Sequence, residues 1–236
     1  EFAPKHPLWE DFNSVESIYS VASATSKWYS RTLETAPTQE LSQTHFVSCS
    51  GFIADANTSD LHAVEEVWKC GHDVESGLTS PKAVTDAALN TYRTTNADRL
   101  VIHYVQPHAP FLHSLGKYDS IARGEGNGET QQVWMGLQQG VFEKDEIWKD
   151  YGKNLLTVLD HVQTIINNTS GNIAITSDHG NALGEYNVYD HPGDLALPSI
   201  RRVPWVETVG NGRSEYEVQD REEIAAEINP EGANVE

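Results

Sequence analysis

The chain has 236 residues, 38% of them hydrophobic and 9% aromatic, enough for one sizeable core without disulfides. Its 35 acidic residues against 16 basic ones give a formal net charge of −19. Such a surface repels phosphate backbones and anionic membranes, which argues against nucleic-acid binding, and it suits a protein kept soluble in high salt, as in a halophile.

Taken in chain order, the opening "EFAPKHPLWEDFNSVESIYSVASATSKW" has no strong strand before its first helical segment. An α/β sheet usually begins with a buried strand, so the chain is expected to lack one at its N-terminus. Within this opening, "SVASATSKWYS" (20–30) is a hydroxyl-rich loop leading into a helix. "HFVSCSGFI" (45–53) is the first apolar run read as a buried parallel strand. "SPKAVTDAALNTYRTT" (80–95) is a helix with Ser80 as N-cap and Pro81 at its first position. "RLVIHYVQ" (99–106) is a second buried strand. Residues 114–142 are Gly-rich and polar and read as an excursion or lid. The run 143–168 places Ile147, Tyr151, Leu155, Val158, Val162 and Ile165 three or four residues apart, which makes a helix face. "NIAITS" (172–177) and "RVPWVETV" (202–209) complete the strands, and 210–236 is an acidic tail with one short helical piece. Alternating strands and helices predict a single α/β domain over 1–236 with a mainly parallel sheet flanked by helices.

Cys49 and Cys70 are the only cysteines, and their spacing matches no zinc motif, so free thiols in a cytoplasmic protein are expected. Sequons at Asn57, Asn167 and Asn168 are a pattern that often arises by chance. No secretory apolar region and no membrane-spanning run is present in this sequence.

In parallel sheets, ligands bind beyond the C-terminal ends of strands. Asp178 and His179 follow the strand at 172–177, and His108 follows the strand at 99–106, so two strand ends deliver metal-capable groups. Carboxylate with neutral imidazole suits zinc or manganese, whereas oxygen ligands alone suit calcium or magnesium.

"TSDHGNALGEYNVYDHPG" (176–193), followed by "RRVPWVE" (201–207), resembles the C-terminal signature of the alkaline phosphatase superfamily, nearest to sulfatase-like hydrolases and phosphoethanolamine transferases. "VIHYVQPHAPF" resembles that family's preceding strand and its trailing His, and "VSCSGFI" resembles an earlier core strand. The resemblance runs from about residue 18 to 209. It implies an alkaline-phosphatase-like α/β fold and a hydrolase or transferase for phosphate or sulfate esters, with a glycan among the possible substrates. It also implies one divalent metal ion (manganese, zinc, calcium or magnesium) and an activated hydroxyl or modified Cys. Carried over residue by residue, Asp178 and His179 are metal ligands, His108 holds an ester oxygen, His191 lies near the leaving group or the substrate headgroup, and Glu185 supports the loop. The nucleophile belongs at a helix start after a hydroxyl-rich loop, where Thr25 is favoured over Ser23 and Ser26; no Cys lies there for a formylglycine sulfatase. The family's first strand carries a further Asp ligand; here Asp11 has no apolar strand leading into it, and no second "DxxxH" set is present. The alternative is a non-catalytic relative that acts as a binding or assembly protein.

Overall fold

The computed structural model describes residues 1–12, 14–73, 77–118 and 129–228. The main elements are β1 (Glu16–Tyr19), α1 (Thr25–Thr35), β2 (Thr44–Ser48), β3 (Ala63–Glu66), α2 (Pro81–Thr94), β4 (Arg99–His103), α3 (Glu129–Gln138), α4 (Lys144–Asn168), β5 (Ser170–Thr176), β6 (Ala182–Leu183), β7 (Tyr189–Asp190), β8 (Arg202–Asn211) and α5 (Arg221–Ile228). The chain divides into two compact units.

One unit comprises Thr32–Val105, Asp160–Ile173 and Val209–Glu236. Its sheet runs β3-β2-β4 and is parallel throughout, with Phe46 opposite Val64 on one side and Val101 on the other. β2 is buried along its whole length, as an apolar run flanked by strands on both edges should be. α2 starts as its sequence dictates: the Ser80 side chain accepts from Ala83 N, and Pro81 occupies the first turn where no N–H is needed. Val84, Ala88 and Leu89 of α2 pack with Val47, Cys49, Val67 and Ile165 in one core, each large aliphatic contributing about 1.5–3 kcal/mol. Cys49 and Cys70 are buried, and neither is in a disulfide. Ile224 of α5 joins the same core, with Tyr216, Val218 and Ile228 packed against it.

The other unit comprises Glu1–Arg31, Gln106–Leu159 and Ala174–Thr208. β1 pairs antiparallel with β8, Ile18 opposite Val203. The full sheet order is β1-β8-β5, and β6 and β7 form a small antiparallel hairpin. The aromatic core gathers Phe111, Tyr118, Val133, Trp134, Ile147 and Leu183. Phe111, Tyr118 and Phe142 meet edge to face, Tyr118 and Phe142 at 4.9 Å.

All four predicted strands and both long helices are present. Among the described residues parallel pairing is confined to β3-β2-β4, and the expected buried strand β5 lies at the edge of its sheet and is exposed at most positions. Of the Gly-rich excursion expected over 114–142, residues 119–128 lie outside the described residues, and Glu129–Gln138 form helix α3. No helix among the described residues is long and apolar enough to cross a membrane.

Candidate functional site

All the site residues named from the sequence lie in the unit built from Glu1–Arg31, Gln106–Leu159 and Ala174–Thr208. Thr25 is the first residue of α1, where backbone N–H groups point outward and favour negative charge. Its Oγ1 donates to Asp178 Oδ2 at 2.7 Å and lies 3.1 Å from His179 Nε2. His179 Nδ1 is 2.9 Å from Gly180 O, which can only accept. Nδ1 therefore carries the proton, and Nε2 presents a lone pair toward Thr25.

The turn after β5 explains this placement. Gly180 N donates to Ile200 O at 2.7 Å, and a Cβ on Gly180 would come within 2.5 Å of Ser199 O. Only glycine allows that approach, so the backbone requires glycine at the third position of the Asp-His-Gly turn. Asp178 is held from behind as Ser20 Oγ donates to its carbonyl, while Arg201 donates to Ser20 O. Ser23, a rival nucleophile, is fully buried; it donates to Pro192 O at 2.8 Å and accepts from Leu195 N at 3.1 Å. It braces the loop that follows His191.

A second group stands against the first. The His179 and His191 rings are 4.2 Å apart, centre to centre. His191 Nε2 faces His108 Nε2 at 3.0 Å, and Asp190 Oδ1 lies 3.3 Å from His191 Nε2 and 3.7 Å from His108 Nε2. His108 Nδ1 meets Ala109 O at 2.7 Å, so this ring too has its proton on Nδ1 and a bare Nε2. Burial, with His108 and His179 close by, pushes His191 down to about 4, which keeps it a neutral imidazole at neutral pH. Burial disfavours the Asp190 carboxylate, but His108 and His191 outweigh it and hold its carboxyl below the ordinary range. Asp190 Oδ1 has no hydrogen-bond partner among the described residues. One ligand-capable atom from each of His108, Asp190 and His191 lies within 4.8 Å of the others. Such a donor set fits a divalent cation, as does the Asp178–His179 pair with its bare Nε2.

The β6–β7 hairpin delivers Asp190 and His191. Asp190 adopts φ 65°, a left-handed conformation that Asp tolerates better than most residues. Glu185 braces the turn: its carboxylate accepts from Leu183 N at 2.7 Å and from Lys144 Nζ at 2.9 Å. Burial opposes its charge, yet Lys144 and the backbone donors hold its carboxyl below the usual range. Tyr151 stands behind the other strand end. Burial pushes its phenol up to about 12, partly offset by a hydrogen bond from Asn181 and increased by the Asp178 charge.

The structure therefore brings Thr25, Asp178 and His179 together, and beside them His108 and His191. Asp190 was not singled out from the sequence, although it stands directly before His191; between Tyr189 and His191 in a Gly- and Pro-bearing loop, it reads as a turn residue. Asp11 ends a short helical turn and is exposed.

The architecture is of mixed α/β type with a parallel sheet, and in fold it is similar to alkaline-phosphatase-like domains. More particularly, it is similar to the soluble domain of lipooligosaccharide phosphoethanolamine transferase A from Neisseria meningitidis, with TM-score 0.51 and 14% identity, covering 72% of this chain and 52% of that one. It is also similar to the integral membrane protein lipooligosaccharide phosphoethanolamine transferase A from the same organism, with TM-score 0.50 and 15% identity, covering 72% of this chain and 32% of that one. The chain thus spans about half the length of that soluble domain. No family model matches the sequence, and no curated protein matches it.

Proposed function

We propose that this chain carries the active site of a metal-dependent transferase or hydrolase for phosphate esters, with Thr25 as the nucleophile. The observation that carries the reading is the Thr25 hydroxyl at a helix N-terminus, within hydrogen-bond reach of both Asp178 and His179. In this reading Asp178 and His179 hold a divalent ion beside Thr25. Such an ion, when bound, lowers the pKa of the hydroxyl and neutralises charge on the phosphoryl oxygens.

Thr25 Oγ1 attacks phosphorus in line. The Oγ1–P bond forms as the bond from phosphorus to the ester oxygen breaks, and the departing alkoxide takes a proton from water. The hydroxyl proton passes to Asp178 Oδ2, the carboxylate oxygen to which it already donates. Water, or an acceptor hydroxyl, then attacks phospho-Thr25 and frees it. His108 and His191 face the ester and its leaving group, and Asp190 makes that end suited to a second cation as well. The likeness to a lipooligosaccharide phosphoethanolamine transferase supports a phosphorylated headgroup as donor and a glycan-bearing acceptor. The absence of cysteine from the 20–30 loop weighs against formylglycine sulfatase chemistry.

The test is turnover of aryl phosphates and aryl sulfates with manganese, zinc, magnesium or calcium added singly. Metal-dependent phosphate-ester cleavage that Thr25→Ala abolishes supports the reading. Equal turnover by Thr25→Ala and the parent overturns it. Product analysis with an added alcohol separates transfer from hydrolysis.

A further inference from the structure

The carboxamide of Asn154, in the middle of α4, is fully buried, and the chemistry above makes no use of it. Its Oδ1 accepts from Leu112 N at 2.9 Å. Its Nδ2 lies 3.1 Å from His108 O and 3.2 Å from Pro110 O, with Pro107 O at 3.5 Å. Every one of these partners belongs to the segment 107–112. Pro107 and Pro110 have no N–H, so this segment cannot join a ladder, and its inward carbonyls need a donor from elsewhere. A carboxamide is the neutral side chain that offers two N–H donors and an acceptor oxygen from one planar group.

The segment held in this way carries His108. The proton on His108 Nδ1 is fixed by Ala109 O at 2.7 Å, and Ala109 lies between the two residues whose carbonyls Asn154 holds most closely. With Nδ1 protonated, Nε2 is the bare nitrogen facing His191 and Asp190. Two other residues of α4 brace site loops: Lys144 bonds Glu185 in the hairpin turn, and Tyr151 bonds Asn181 after the Asp-His-Gly turn. Asn154 serves the third loop.

We propose that Asn154 is a positioning residue of the site: by fixing the His108 and Pro110 carbonyls it aims the Ala109 carbonyl, and so sets the tautomer and direction of the His108 imidazole. Asn154 itself touches no reacting group. Its catalytic consequence rests on the proposed function, whereas its effect on the His108 tautomer does not.

Asn154→Asp keeps the shape and the acceptor for Leu112 N but turns a carboxylate toward the loop carbonyls. Asn154→Ser, uncharged, keeps one donor at most and is the milder variant. Long-range proton–nitrogen correlation spectra of metal-free protein with labelled histidines report which nitrogen of each ring is protonated. A His108→Gln sample assigns the signal. The parent is expected to hold His108 in the Nδ1–H form, and both variants to move it to a mixture of tautomers. Zinc affinity and aryl-phosphate turnover should fall ~10–100-fold alongside, the range found when residues behind a ligand are lost. His108 unchanged in both variants, with only the melting temperature lowered, overturns the proposal and leaves Asn154 as a brace of the fold. A parent spectrum with the His108 proton on Nε2 overturns it as well. A parent without turnover contradicts the proposed function instead, and the tautomer comparison then decides the role of Asn154 by itself.

Discussion

Thr25 and Asp178, separated by 153 residues in sequence, share a hydrogen bond of 2.7 Å between hydroxyl and carboxylate. A hydroxyl that begins a helix ordinarily caps it or meets water. Here the proton is directed at a carboxylate that sits at the end of β5, and the backbone of that carboxylate is itself fixed by Ser20. The contact assembles the first turn of α1 and the Asp-His-Gly turn into one group.

That group and its neighbour can be told apart by metal titration. A ligand present at a hundred times its dissociation constant stabilises a fold by about 2.7 kcal/mol. Asp178→Asn should abolish the tightest metal-dependent rise in melting temperature, and His191→Ala should retain it. The reverse outcome would place the principal ion at His108, Asp190 and His191. Thermal melting with manganese and with zinc reads the difference directly.

The site was legible in the sequence where chemistry and position coincide. Asp178 and His179 follow an apolar run, and Thr25 opens a helix after a hydroxyl-rich loop. Asp190 was not legible, because its partner His108 is remote in sequence and its aim depends on a left-handed backbone. Asn154 was hidden for a different reason. The apolar face of α4 announces Ile147, Tyr151 and Val158, while an asparagine among them reads as a polar position rather than a fully buried one. In the fold, α4 was legible from its period. β1, with every residue exposed, offers no apolar alternation to read. The exposure of β5 could not be seen either, since "NIAIT" is apolar enough for a buried strand and only pairing decides.

Asp150 supplies a prediction about acid stability. Its side chain is 2% exposed and accepts from Lys117 at 2.7 Å, Lys153 at 2.7 Å and Tyr118 at 2.8 Å. Burial works against the charge, but these donors prevail and hold the carboxyl well below its ordinary 3.8. A folded value below the unfolded one gives stability that is present above the unfolded value and is lost as pH falls toward the folded one. Asp150→Asn should cost about 1.5–3 kcal/mol at neutral pH, the range for hydrogen bonds to a charged group, and flatten the loss of stability below the ordinary carboxylate range. Urea unfolding of parent and variant across acidic pH checks both statements. Parallel curves for the two proteins would contradict the assignment.

The net charge of −19 predicts a dependence on salt. Exposed carboxylates repel one another over a screening distance of about 10 Å at 0.1 M ionic strength and about 3 Å at 1 M. The melting temperature should rise between dilute buffer and molar potassium chloride. A melting temperature that does not change would show that self-repulsion is not a term in this fold's stability.

The central claim is that Thr25 forms a covalent bond to phosphorus. Metal-loaded protein should be incubated with an aryl phosphate, quenched in acid during turnover and digested, and the peptide holding residues 20–30 weighed. The account predicts that this peptide gains the mass of one phosphoryl group, that fragmentation places it on Thr25, and that Asp178→Asn does not acquire it. Full turnover with an unmodified Thr25, or with the phosphoryl group on Ser26, would contradict the account.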